Sequence, residues 1–208
     1  MDFPAFFAQA PTITLRDPLA AFLGVSRSGE ISYGYPDVVK LAGHSCPTVA
    51  GAYLMVCKGL KRLHGEHLPE RGNIDVYMRD ARDQGTTGVM ASVATLLTGA
   101  ATETGFGGIG SGRRFSRRDL LHFSWPIDGL MALRRRDNGR GVLLDLNVAC
   151  VPPAPGMPAL FPRAVAGQAN DDELARFGAL WQQRVEQMLI DHADDTRLVL
   201  VRDWAAPT

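Results

Sequence analysis

The sequence predicts an α+β protein of one domain, with helices packed against a mostly antiparallel sheet. Three observations support this fold class. The chain has 208 residues, of which 46% are hydrophobic, enough for one sizeable core. Helical and strand-like segments do not alternate regularly, so a doubly wound parallel sheet is disfavoured. An Asn138-Gly139 pair between two strand-like runs indicates an antiparallel hairpin.

The first half of the chain predicts a long helix, a strand and a second helix. From Pro47, apolar residues recur at helical spacing over about four to five turns, and cations gather near the end. Residues 73–80 alternate apolar and polar side chains, which indicates a half-buried strand. Between Val89 and Ala100 the spacing is again helical, with Gly99 near the predicted end.

The second half predicts a hairpin, a connector, a helix and a last strand. The hairpin strands are residues 129–135 and 141–148. Residues 151–162 are rich in proline and are predicted to lie outside helices and central strands. Asn170 is the predicted cap of a long amphipathic helix, and residues 196–204 form the last strand.

The charge balance gives no general reason to expect a polyanionic partner. Lysine plus arginine and aspartate plus glutamate number 22 each, so the formal net charge is zero. We therefore predict neither a nucleic-acid nor a membrane partner. No window reaches the ~18 uninterrupted apolar residues of a membrane helix. The first residues lack a basic leader followed by an apolar core, which predicts a cytoplasmic protein.

Two stretches are locally basic, residues 112–119 and 133–140. One interpretation is that they form solvated strands and turns. The other is that their arginines contact phosphate or carboxylate groups.

The cysteines are predicted to be free thiols. Cys46, Cys57 and Cys150 are too few and too scattered for a disulfide framework, and no Cys-x-x-Cys pair is present.

The strongest candidate for chemistry is the segment from His44 to Pro47. Pro47 suits the first position of a helix, which makes Cys46 the predicted cap. A thiolate there faces free amide hydrogens and the positive end of the helix dipole, which favours nucleophilicity and metal ligation. His44 and Cys46 can bind one metal ion only if the chain bends between them. Alternatively, Cys46 is a structural cap beside a hydrogen-bonded loop histidine, or a nucleophile paired with His44 or His122.

Two other patterns suggest sites that their context disfavours. His64 and His67 have the spacing of a helical ligand pair, but Gly65 and charged neighbours predict a solvated, fraying helix end. Residues 105–110 read Gly-x-Gly-x-x-Gly, yet they follow a helix and run into arginines, so a dinucleotide site is excluded. Such a loop can still approach a ligand or a second protomer closely.

The Gly43-His44-Ser45-Cys46-Pro47 segment resembles the FmdE family, named after a component of molybdenum formylmethanofuran dehydrogenase. The segments VATLLTG (93–99) and ARFGALWQQRV (175–185) add to a likeness that spans roughly residues 35–190. The resemblance implies one FmdE-like domain with a core at about 35–204 and an N-terminal extension at 1–34. It also implies a homodimer and a divalent metal bound through His44 and Cys46.

The chain departs from the family pattern at several positions. Ala100 replaces a later family cysteine, Thr48 replaces a glycine and Ser92 falls where the family has an aspartate; the C-terminal zinc ribbon is missing. Catalytic zinc normally keeps three protein ligands. The candidates for the missing ligands are Asp80, Asp83, Glu103 and His122.

The resemblance leaves two functions open. One is metal-assisted chemistry on a small polar substrate, with zinc favoured over magnesium or calcium by the borderline-soft imidazole and thiolate ligands. The other is a non-catalytic accessory or metallochaperone-like protein. The sequence does not decide whether the protein is an enzyme.

Overall fold

The computed structural model describes residues 2–205. Within that range the α-helices are α1 Pro18–Phe22, α2 Tyr35–Ala42, α3 Pro47–His64, α4 Thr87–Thr98, α5 Met157–Val165 and α6 Asp171–Glu186. The strands are β1 Ile13–Arg16, β2 Glu30–Tyr33, β3 Ile74–Met78, β4 Leu121–His122, β5 Met131–Arg135, β6 Arg140–Leu146 and β7 Val199–Ala205. None of these helices combines the length and apolar character needed to span a bilayer.

Five strands form one sheet in the order β4-β3-β5-β6-β7. Only the β3–β4 pair is parallel, and the other pairs are antiparallel. Strands β1 and β2 form a separate antiparallel pair. The structure is therefore a single-domain α+β fold with a mostly antiparallel sheet, as the sequence predicts.

The long helix, the hairpin and the capped last helix confirm the sequence prediction. Helix α3 begins at Pro47 and ends at His64. In the hairpin the Gly139 amide donates to the Arg135 carbonyl at 3.0 Å, and Gly139 has a φ of +73°. Asn170 caps α6, which continues into a π-helical turn at Gln187–Asp191.

Strand β3 is buried on both faces, so the prediction of a half-buried strand was wrong. Ile74, Val76 and Met78 belong to the main core, on the sheet face that packs against α3. On the other face Tyr77 belongs to a smaller apolar cluster with Ile127, Ala132 and Leu143, and Trp125 and Trp204 pack against it. Apolar and polar side chains do alternate along β3. The face that carries the polar residues is nevertheless buried, because the second cluster covers it.

The proline-rich connector contains a helix that the sequence analysis missed. Helix α5 spans Met157–Val165, with Pro158 in its first turn and Pro162 inside it. Pro158 is tolerated because first-turn amides have no intrahelical acceptor. Phe161 stacks on Trp181 of α6 with ring centroids 6.3 Å apart. We attribute the helix to packing on α6, which outweighs the cost of an internal proline.

The first 34 residues contribute to the same core as the rest of the chain. Phe6, Phe7 and Leu15 are buried members of the main cluster. The N-terminal segment therefore packs on the sheet-and-helix core rather than standing apart from it.

Candidate functional site

The His-Ser-Cys segment is the short connector between α2 and α3. Helix α2 ends at Ala42, and Gly43 follows with a φ of +73°, a conformation that glycine adopts without strain. This left-handed residue turns the chain out of α2 directly before His44. This turn precedes both donors, so it is not a bend between His44 and Cys46.

Cys46 is the N-cap of α3, as predicted. Its backbone is extended, and its Sγ accepts a hydrogen bond from the Val49 amide at 3.4 Å. The side chain is partly buried and packs against the main core. The sulfur therefore lies at the positive end of the α3 dipole, beside an amide hydrogen of the first turn.

His44 is exposed, and its ring is oriented by one backbone contact. Nδ1 lies 3.0 Å from the carbonyl oxygen of Ala42. Because a carbonyl can only accept, Nδ1 must donate, and a neutral ring then carries its lone pair on Nε2. Metal-bound histidines usually have this arrangement, in which one ring nitrogen donates to an oxygen and the other binds the metal.

Ser45 is held by hydrogen bonds to residues of two helices, α2 and α6. Its Oγ donates to Oε1 of Gln182 at 2.9 Å and contacts the Tyr35 hydroxyl at 2.9 Å. Its carbonyl accepts from Trp181 Nε1 at 3.0 Å and from Gln182 Nε2 at 3.2 Å. Burial raises the pKa of Tyr35, so this phenol stays a hydrogen-bond donor. The sequence analysis missed these three anchors because they lie on other helices and form no local motif.

The connector alone does not complete a metal site. Within residues 2–205 no group of three or more His, Cys, Asp or Glu side chains is close enough together to hold a metal ion. Zinc sites normally use three or four protein ligands. His44 and Cys46 are therefore donors of the right type but insufficient number.

The four proposed substitute ligands lie elsewhere. Asp83, Glu103 and His122 line one cavity of about 740 Å³, but they do not form a metal-binding group. Asp80 is paired with Arg79, whose Nε lies 3.1 Å from its Oδ1.

His122 is a member of the aromatic cluster on the sheet face away from α3. It stacks on Tyr77, its neighbour in register, with centroids 4.8 Å apart and an interplanar angle of 17°. Cys46 packs on the other side, against the main core. The structure therefore does not bring His122 and Cys46 together as a base and nucleophile.

The positions that depart from the family pattern supply no ligand either. Ala100 is fully buried, and the Ser92 hydroxyl donates to the Gly88 carbonyl at 2.9 Å. The three cysteines are free thiols. Burial raises the pKa of Cys57 to about 12, which makes it unreactive at neutral pH.

His64 contradicts the prediction of a solvated helix end. Its side chain is buried, and its Nε2 has no hydrogen-bond partner among the described residues. Arg135 of the hairpin donates to the Leu63 carbonyl and covers the end of α3. Burial, with help from the Arg135 charge, lowers the pKa of His64 to about 4. His67 is exposed, as expected, so the two imidazoles do not share one solvated surface.

Comparison with known proteins gives a distant structural likeness. No family model and no curated protein sequence matches the chain. Among solved structures it is similar to a tungsten formylmethanofuran dehydrogenase FmdE-like protein from Syntrophus aciditrophicus. The two are 16% identical, the TM-score is 0.44, and the match covers 84% of this chain and 74% of the other. A likeness this distant does not assign the chain to a family.

Proposed function

We propose that this protein is a divergent FmdE-like protein that binds a divalent metal ion, zinc by preference, through His44 and Cys46. The observation that carries the proposal is that the backbone orients both donor atoms, His44 Nε2 and Cys46 Sγ. The Ala42 carbonyl holds the His44 tautomer with Nε2 free, and Cys46 Sγ lies beside the Val49 amide at the positive end of the α3 dipole.

The surrounding residues support the proposal by holding the connector in place. Ser45 lies between the two donors and is fixed from α2 and α6 by its four hydrogen bonds. Donors on a fixed connector lose less conformational entropy when they bind a cation than donors on a free loop.

The two donors are of types that zinc prefers, but two protein ligands do not complete the coordination shell of a zinc ion. Imidazole and thiolate are borderline-soft ligands that suit zinc and do not suit magnesium or calcium. The other positions would be filled by water, by a small polar substrate, or by side chains of a second copy in the homodimer that the family resemblance implies. When bound, zinc would supply Lewis-acid polarisation of a substrate oxygen.

The second candidate is a non-catalytic accessory or metallochaperone-like protein. The observation favouring it is that His44 is exposed and that the described chain adds no third ligand to the pair. A cation held by two protein atoms at a surface exchanges readily with another chelator.

Metal analysis with matched variants tests the proposal. We expect the purified protein to bind one equivalent of zinc, and His44→Ala and Cys46→Ala each to lose it without losing the fold. His67→Ala and Cys150→Ala are the controls, because they remove an exposed histidine and a partly exposed free cysteine elsewhere. Metal-free wild type, or unchanged binding in both motif variants, would overturn the metal assignment.

The rate of zinc transfer to a chromophoric chelator separates the two candidates. Transfer within seconds supports the accessory role. Retention for hours supports a resident ion that takes part in chemistry.

A further inference from the structure

A second cavity, unrelated to the His-Ser-Cys connector, lies where the start of β3 meets the basic segment before β4. Its volume is about 340 Å³, at the lower end of the range of small-molecule sites. Four of its lining residues are arginines and one is a glutamate: Arg71, Arg113, Arg117, Arg136 and Glu70. We propose that this cavity binds a small ligand through a phosphate group.

The floor of the cavity is a buried ion cluster centred on Asp17. Oδ2 of Asp17 accepts from Arg71 Nη1 at 2.6 Å, and Oδ1 accepts from Arg117 Nη2 at 2.7 Å. The other two guanidinium nitrogens of Arg71 donate to the Leu96 and Leu97 carbonyls at the end of α4, each at 3.0 Å. All three guanidinium nitrogens of Arg71 thus donate a hydrogen bond within the floor.

Arg117 has donors left over. Its side chain is only 8% exposed, and among residues 2–205 its guanidinium donates to Asp17 alone. It lies between two glycines: a Cβ on Gly72 would be 1.7 Å from its Nη1, and a Cβ on Gly99 would be 3.2 Å away. The buried Arg117 and the partly buried Arg71 therefore share the Asp17 carboxylate, and both line the cavity. Desolvation makes a buried positive charge costly unless an anion balances it.

The rim adds two further guanidinium groups. Arg113 is exposed, has a left-handed φ of +48°, and has no carboxylate partner among residues 2–205. Arg136 has only a long ion pair, with its Nε 3.5 Å from Asp75 Oδ1. Phe115, another lining residue, also has a positive φ of +64°. Strained backbone of this kind concentrates at ligand sites, because the surrounding structure must hold it in place.

The charge balance favours a dianion. The four lining arginines are matched by two carboxylates, Glu70 in the lining and Asp17 in the floor; Asp75, which pairs with Arg136, also pairs with Arg134 outside the cavity. The excess is two positive charges in a chain whose net charge is zero. A phosphate monoester carries nearly two negative charges near pH 7 and three acceptor oxygens. It has one more acceptor oxygen and about twice the charge of a single carboxylate, so it can balance more than one of these arginines at once.

Calorimetric titration of metal-free protein tests the proposal independently of zinc. The probes are inorganic phosphate, glycerol 3-phosphate and succinate at pH 8 and constant ionic strength. We expect saturable binding of at least one phosphate probe and at least tenfold weaker binding of succinate. Arg113→Gln and Arg136→Gln should each weaken phosphate binding roughly tenfold, the loss of one charge-assisted hydrogen bond. Both residues are at the rim, so neither change disturbs the Asp17 cluster.

Two controls make the test specific. Arg140→Gln removes an exposed arginine that does not line this cavity and should leave binding unchanged. His44→Ala should bind phosphate as the wild type does, even if it has lost its metal. The proposal fails if neither phosphate probe binds, if succinate binds as tightly, or if both rim variants bind like wild type.

Discussion

Arg117 donates a hydrogen bond to the carboxylate of Asp17 across 100 positions of sequence, at 2.7 Å and with both side chains almost completely buried. Together with Arg71, this contact ties α1 to the beginning of β3 and to the end of α4. Removing one partner of a buried ion pair leaves an uncompensated charge, which is far more costly than losing a surface pair.

Asp17→Asn should therefore destabilise the protein by about 3–5 kcal/mol. Urea denaturation measures the loss, and Asp203→Asn is the matched control, because Asp203 pairs with Arg62 at the surface. The control should lose much less stability, because solvent screens this exposed pair. Similar losses in the two variants would show that the Asp17 cluster is not a structural centre.

The pH dependence of the same contact has a defined direction. Burial alone would raise the pKa of Asp17, but the Arg117 and Arg71 charges and hydrogen bonds outweigh it and lower the pKa below 3.8. The stabilisation is therefore complete above pH 3.8 and is lost as the pH falls below it. In denaturation curves between pH 5 and 2, wild type should lose more stability than Asp17→Asn.

Gly72→Ala should be more damaging than an alanine at another left-handed glycine. Gly72 has a φ of +81°, and the new Cβ would overlap Arg117. Gly24 has a similar φ of +74° with nothing within 4 Å, so Gly24→Ala reports backbone strain alone, about 1–2 kcal/mol. We expect Gly72→Ala to lose at least ~1 kcal/mol more in chemical denaturation. Equal losses would mean that Arg117 moves aside freely.

His64 should make the protein sensitive to mild acid. Its pKa is about 4 in the folded protein, against 6.5 for the unperturbed group. Between these values the unfolded chain binds a proton that the folded chain does not, so stability falls as the pH drops through 6.5. From pH 8 to pH 5 the loss is roughly 2 kcal/mol.

Denaturation of His64→Leu across the same pH range isolates this contribution. The variant should lack most of the acid-dependent loss, whereas His67→Ala, at an exposed position, should retain it. An unchanged pH profile in His64→Leu would show that other groups cause the acid sensitivity.

The anchors of Ser45 should affect metal affinity without touching the metal. Gln182→Ala removes one hydrogen bond to the Ser45 hydroxyl and one to its carbonyl. Loss of outer hydrogen bonds of this kind typically costs 10-fold or more in metal affinity. We expect about tenfold weaker zinc binding by competition with a chelator, and no change in Gln183→Ala, its exposed neighbour. Wild-type affinity in Gln182→Ala would mean that the connector needs no support from α6.

Local signals in the sequence were sufficient for much of the fold. Pro47 and the apolar spacing after it defined α3, and the Asn138-Gly139 turn defined the hairpin, because both elements are specified by residues close together in sequence. Cys46 as the helix cap followed from the same local reasoning.

The failures have a common physical cause, which is packing between distant segments. Tyr77 is covered by Trp125, which follows β4, and by Trp204 of β7, and His64 is covered by the hairpin. One interpretation of residues 112–119 was a solvated turn. Arg117 of this segment is instead buried and paired with Asp17. The local sequence pattern around each of these residues was correct. Whether the residue is buried, however, depends on side chains from distant parts of the chain.

X-ray absorption at the zinc edge, on protein loaded with one equivalent of zinc, reports the ligands of the ion. We expect at least one sulfur scatterer at about 2.3 Å and at least one imidazole nitrogen at about 2.0 Å. The sulfur signal should vanish in Cys46→Ala and persist in Cys150→Ala. A shell of oxygen and nitrogen alone in the wild type, or a sulfur signal that survives Cys46→Ala, would contradict metal binding at the start of α3.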